Sequence, residues 1–247
     1  MKSIIITGAS SGIGCATAEV FLRSGWRVGL IARQTELLNE LSDQYENAHA
    51  LSCDVTDAVA MKAAFGHFVD QAGRLDALFN NAGMFGPSGP IDEVPLEAWA
   101  QVMNVNLNGM FIAAQLAFRQ MRRQSPQGGR IINNGSLSAH VPRPGSICYT
   151  TTKHAVTGLT KTLSLDGRPF DIACGQIDIG NAESAIVTDL KAKQPDMKTM
   201  DVSHAADAVF HMAGLPLSAN VQSMTLMATK MPYIGRDGFS RSLQQLL

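Results

Sequence analysis

Short apolar runs alternate along the chain with longer segments in which apolar residues recur at helical spacing. Residues 2–7 are isoleucine-rich and stop at Gly8, whereas 13–23 are amphipathic and closed by Gly25. That order predicts a strand, a glycine turn and a helix. The same reading gives strands over 26–32, 49–53, 75–79, 129–134, 170–177 and 221–228. Helices are expected over 35–45, 57–71, 147–165 and 202–215. Residues 96–121 form one long helical pattern, interrupted by Asn104-Val105-Asn106-Leu107-Asn108-Gly109. Asparagine and glycine are costly inside an apolar helix, so the interruption marks a candidate functional position. A buried asparagine there would open a helix turn and hold an ordered water. Strand and helix alternate throughout, which predicts an α/β fold: one doubly wound, mostly parallel seven-stranded sheet of Rossmann type with helices on both faces.

Composition narrows the class. The 247 residues are 45% hydrophobic and 17% charged, which suits a single domain over 1–247, because no linker, internal repeat or low-complexity tract divides the chain. Net charge is −1, and basic residues cluster only at Arg119, Arg122 and Arg123, so neither nucleic acid nor a membrane is an expected partner. The first apolar run, Ile4-Ile5-Ile6, is too short for a secretion signal, and no run approaches the roughly 18 apolar residues of a membrane span. A cytoplasmic protein is expected. Cys15, Cys53, Cys148 and Cys174 show no metal-ligand spacing and are read as packed free thiols. No metal site is expected.

Two stretches carry the chemistry. Gly8, Gly12 and Gly14 follow the first strand and open the first helix, where backbone N–H groups of Ser10, Ser11 and Ile13 and the helix N-terminus would face a pyrophosphate. An ordinary turn is the alternative, and the position between strand and helix argues against it. At the end of the second strand Arg33 stands where NAD sites carry an acid for the ribose 2′-hydroxyl, and a cation there suits a 2′-phosphate. NADP(H) is therefore expected ahead of NAD(H), the alternative being a solvated arginine. Asp54 and Val55 follow the third strand; Asp54 would accept from an adenine amino group or else cap the next helix, as would Asp57. Asn81, Ala82 and Gly83 end the fourth strand and suit close packing against a cofactor or a plain turn.

The second stretch is Tyr149 to Lys153, with Ser136 upstream. On a helix Tyr149 and Lys153 lie about 6 Å apart on one face. A phenol titrates near about 10, and a cation within a few ångströms lowers that by about 1–3 pH units. Tyr149 is thus a candidate general acid/base.

Together these motifs resemble the short-chain dehydrogenase/reductase family over nearly the whole chain. Its glycine-rich motif matches Thr7 to Gly14, its adenine-side aspartate Asp54, and its NNAG Asn80 to Gly83; its asparagine matches Asn106, its serine Ser136, and its YxxxK Tyr149 and Lys153. The resemblance implies that Ser136 hydrogen-bonds the substrate oxygen and Tyr149 exchanges its proton. Lys153 binds the nicotinamide ribose and lowers the tyrosine's pKa, and Asn106 holds a relay water. It implies a cofactor-binding half over 1–135, a catalytic and substrate half over 136–247, and a homodimer or homotetramer paired through the helices at 96–121 and 147–165. The chain departs where the family shows Pro-Gly, having Ile179-Gly180; Gly180 still passes the nicotinamide on this reading, and Ser184 contacts its carboxamide or the phosphates. Met224, Met227 and Met231 are expected to be core filler, and His140 is not expected to act as a base. The expected function is hydride transfer between NADP(H) and a small-molecule carbonyl or alcohol. The competing readings are a non-catalytic NADP(H) sensor and a nucleotide-sugar epimerase, for which little chain remains after Lys153.

Overall fold

The computed structural model describes residues 1–184, 187, 191 and 196–234; residues 235–247, the end of the half expected to be catalytic, lie outside the described residues. Strands β1 (Ser3–Thr7), β2 (Arg27–Ala32), β3 (Ala48–Ser52), β4 (Ala77–Asn80), β5 (Gly129–Asn134), β6 (Ile172–Ile179) and β7 (Ser223–Leu226) form one sheet. Their order is β3-β2-β1-β4-β5-β6-β7, with every neighbouring pair parallel. The order reverses between β1 and β4, and ligands of such sheets bind outside the strand ends at that reversal.

Among the described residues the helices that cover the sheet are α1 (Gly12–Arg23), α2 (Thr35–Gln44), α3 (Ala58–Ala72), α4 (Leu96–Met103), α5 (Met110–Arg123), α6 (Ile147–Gly167) and α7 (Val202–Gly214). A strand's side chains alternate between faces, so both faces of β1 are apolar because both are covered. Ile4 and Ile6 join the core with residues of α1, α2 and α7, and Ile5 joins the core with residues of α3 and α5. Phe21 of α1 packs edge-on to Trp26 at 4.9 Å and to Phe210 of α7 at 5.1 Å.

The interruption expected at 104–109 is a π-helical turn, Asn104–Gly109, joining α4 to α5. Such turns widen the helix and cluster at functional sites. The sixth strand starts two residues later than expected, because Arg168–Phe170 prolongs α6 as a 3₁₀ turn ending at Asp171 in the left-handed conformation.

Candidate active site

The glycine turn is built for close approach. Gly8 (φ 67°) and Gly12 (φ 54°) adopt left-handed conformations that disfavour a side chain. Gly14 serves packing instead: a Cβ there would strike the Gly8 carbonyl and the Asn81 amide. Ser11 precedes α1 without capping it through its side chain, so the first-turn N–H groups are left for a ligand.

Thr7 holds the loop after β4 against this turn. Its hydroxyl accepts from the Asn81 and Ala82 amides at 2.9 and 3.0 Å, while Asn81 Nδ2 donates back to the Thr7 carbonyl at 3.0 Å. Asn134 Nδ2 at the end of β5 donates to Asn81 Oδ1 at 2.8 Å. The strand ends that flank the crevice are thus laced together.

A cavity of about 370 Å³ opens there. Gly8, Ser10, Ser11, Gly12, Ile13, Arg33, Asp54, Val55, Asn81, Ala82, Gly83, Tyr149, Lys153, Gly180 and Ser184 all line it, and Gly14 lies behind the wall. Gln34, Phe85, Asn134 and Gly135 also line it and were not foreseen. Ser10 Oγ donates to Gln34 Oε1 at 2.6 Å, and Arg33, with a 76% exposed side chain, lies 3.9 Å from Asp54 Oδ2. Asp57 is the cap of α3, accepting from the Val59 and Ala60 amides. Asp54 instead accepts from the amide and hydroxyl of Thr56, both at 2.8 Å. Those bonds, helped by Arg33, hold its carboxyl below the usual range.

Without proline, the loop after β6 is fixed by main-chain bonds: Glu183 N–H donates to Met200 at 2.8 Å and Met200 N–H to Asn181 at 2.9 Å. Ser184 lies so near the glycine turn that a Cβ on Gly12 would come 2.9 Å from its own Cβ. A Cβ on Gly180 would meet Met227 and Met231, so these methionines fill space as expected; Met224 packs on the α1 side of the sheet.

At the other end α6 carries Tyr149 and Lys153. Lys153 is 3% exposed; its Nζ donates to the Asn134 carbonyl at 2.7 Å and lies 5.4 Å from the Tyr149 ring centroid. Burial lowers its pKa to about 8, with Asp178 opposing the shift. Phe85 meets the Tyr149 ring edge-on at 4.5 Å. Ser136 and Asn106 lie just behind the wall, where their neighbours Gly135 and Val105 line it. The Asn106 side chain is engaged at both ends: Oδ1 accepts from Met84 N–H at 2.8 Å, and Nδ2 donates to the Met84 carbonyl at 2.8 Å and to Thr152 Oγ1 at 3.2 Å. It ties the π turn to the loop after β4 and to α6.

Sequence reading passed over Asp178, which is 1% exposed within β6. A carboxylate inside an apolar strand was the available signal. The cysteines show no activated thiol among those shifted: burial pushes Cys53 up to about 11 and Cys174 up to about 12.

The sequence profile of the short chain dehydrogenases matches residues 2–195, and this chain belongs to that family of oxidoreductases. It is 33% identical to a 2-(R)-hydroxypropyl-CoM dehydrogenase of Xanthobacter autotrophicus, over 85% of this chain and 90% of that one. It is 29% identical to a serine 3-dehydrogenase of Rhizobium radiobacter, over 97% and 99%. In structure it resembles the closed form of a serine dehydrogenase complexed with NADP+, at 23% identity and a TM-score of 0.88, covering 96% of this chain and 98% of that one. It also resembles a 3-ketoacyl-(acyl-carrier-protein) reductase from Brucella melitensis complexed with NADH, at 23% identity and a TM-score of 0.84, covering 92% and 96%.

Proposed function

We propose that the protein moves hydride between NADP(H) and a carbonyl/alcohol pair, with Tyr149 as general acid/base. One observation carries the reading: Tyr149 and the buried ammonium of Lys153 share a single cavity with the glycine turn. Nicotinamide bound in that cavity would supply the hydride. The amides at the start of α1 would hold the pyrophosphate and Arg33 the 2′-phosphate; Gly180 and Ser184 would lie along the nicotinamide.

A carbonyl oxygen gains negative charge as hydride arrives. Two neutral donors aimed at it, the phenol of Tyr149 and the hydroxyl of Ser136, would therefore stabilise the transition state more than the ground state. Lys153 would bind the ribose and favour the phenolate. With its amide engaged by Met84, Asn106 would set the π turn, and a relay water would be held through the main chain of that turn.

Structures of similar fold are complexed with NADP+ in one case and NADH in another, so the preference for NADP(H) rests on Arg33 and on the lack of an acid in the sequence Ala32-Arg33-Gln34 at the end of β2. Fold and catalytic set serve many substrates, and the reading stops at a carbonyl/alcohol pair. The test is NADPH oxidation against a panel of carbonyl compounds. Saturable, carbonyl-dependent oxidation is expected; tight NADPH binding with no turnover across the panel would leave the sensor reading in its place.

A homodimer or homotetramer belongs to the same proposal. α5 and α6 present Phe111 and Leu165, both at least half exposed, beside a groove lined by Phe118, Leu159, Leu163 and Phe170 together with Arg119, Arg122, Arg123 and Asp166. An apolar face of this kind is what a symmetric pairing would cover.

A further inference from the structure

We propose that Asp178 is the positioning residue of the serine turn: its carboxylate grips the Ser136 amide and the His140 ring together and so sets where the Ser136 hydroxyl points. This rests on Ser136 as a donor to the substrate oxygen. Asp178 Oδ1 accepts from Ser136 N–H at 2.9 Å and from Gln176 Nε2 at 2.7 Å, while Oδ2 lies 2.8 Å from His140 Nε2. Ser136 and His140 bracket the 3₁₀ turn Leu137–Ala139. The turn carries its own bonds, with Ser138 N–H donating to Ser136 Oγ at 3.1 Å and Ala139 N–H to the Ser136 carbonyl at 2.8 Å, so it moves as a unit and its seat against β6 comes from Asp178. One carboxylate therefore staples both ends.

Gly135 makes room for this staple. It is not among the residues with left-handed backbone, so conformation does not require glycine there. Space does, because a Cβ would run into Asp178 Oδ1 and would stand 2.6 Å from Gln176 Nε2. Gln176 Nε2 donates in turn to Thr157 Oγ1 at 3.0 Å, and Thr160 Oγ1 donates to Gln176 Oε1 at 3.3 Å. Both threonines belong to α6, so the staple references the serine turn to the helix that carries Tyr149 and Lys153. Asp178 is also the anion that counters the buried Lys153 ammonium. A carboxylate this deep is retained only when paired on every side, and here each pairing leads to the site.

The test compares Asp178→Asn, Asp178→Ala, His140→Ala and His140→Gln in the full-length protein. A misdirected donor should lower kcat by about 10-fold or more; in the His140 variants carbonyl KM and NADPH Kd should hold within about threefold, whereas the Asp178 variants also take the counter-charge from Lys153 and are read on kcat alone. His140→Gln, which keeps a donor towards Oδ2, should recover most of what His140→Ala loses. Full kcat in a folded Asp178→Ala variant, or NADPH affinity falling in step with kcat in His140→Ala, would overturn the proposal. If the Asp178 variants do not fold, the half-exposed His140 pair decides it, and equal kcat in His140→Ala and His140→Gln counts against. If the wild type reduces no carbonyl, the proposed function fails, and hydrogen exchange of the Ser136 amide decides the positioning on its own: protection must fall in His140→Ala and return in His140→Gln.

Discussion

Lys153 carries its ammonium 5.4 Å from the centroid of the Tyr149 ring and 2.7 Å from the carbonyl oxygen of Asn134. One turn of α6 sets the first distance, and the end of β5 sets the second. The charge beside the phenol is therefore held by two elements far apart in sequence, and both residues can be tested separately.

Tyr149→Phe keeps the ring against Phe85 and removes the proposed proton donor. Turnover should fall by about 10²-fold or more, the range for a general acid/base, with NADPH affinity near wild type. Near-normal turnover with any reducible carbonyl would refute the mechanism.

Lys153→Met should separate stability from function. Burial holds Lys153 at about 8 against an ordinary value of 10.5, so the unfolded chain binds this proton more tightly than the folded one. The cost, about 3 kcal/mol, is present in full below pH 8 and shrinks as pH rises towards 10.5. Lys153→Met removes this cost but also takes a partner from buried Asp178 and from the Asn134 carbonyl, so the pH dependence and not the net stability at pH 7 reads the burial term. In urea unfolding of the cofactor-free proteins, the variant's stability relative to wild type should fall by about that size between pH 8 and 10.5. NADPH binding should weaken and turnover should be lost. A relative stability that rises with pH through this window contradicts the burial argument.

Arg33→Ala should weaken NADPH binding by roughly 10–150-fold, the loss of one charge-assisted phosphate contact worth about 1.5–3 kcal/mol. NADH should change little. Fluorescence titration of both cofactors checks this, and comparable wild-type affinities for the two would remove the basis for an NADP(H) preference.

Two glycines should respond oppositely to alanine. Gly14→Ala drives a Cβ into the Gly8 carbonyl, whereas at Gly66 on α3 an added Cβ meets nothing within 4 Å. Thermal unfolding should show Gly14→Ala destabilised by about 1–3 kcal/mol. Gly66→Ala should gain about 0.5–1 kcal/mol from helix propensity.

Light scattering at micromolar concentration should give a dimer or tetramer mass, and Phe111→Glu on α5 should shift it towards monomer by placing charge in the apolar face. A monomer mass for the wild type contradicts pairing through α5 and α6.

The sequence by itself determined the alternation of elements, the parallel sheet and many of the residues that line the cavity, because these depend on local signals: apolar period, glycine spacing and the four-residue step from Tyr149 to Lys153. It also located the interruption at Asn104 to Gly109, since asparagine and glycine violate helix propensity there, without showing that the Asn106 amide would be taken up by Met84. Tertiary structure decided which carboxylate did what. Asp54 and Asp57 are equivalent cap candidates in sequence, and only the geometry of the turn gives α3 to Asp57 and Thr56 to Asp54. Asp178 was legible only as an anomaly inside an apolar strand. Its partners Ser136 and His140 lie 42 and 38 residues away and come within hydrogen-bond reach only because β5 and β6 pair side by side. Local periodicity encodes which face a residue takes; which buried charges meet across strands depends on register, and register exists only once the sheet has formed.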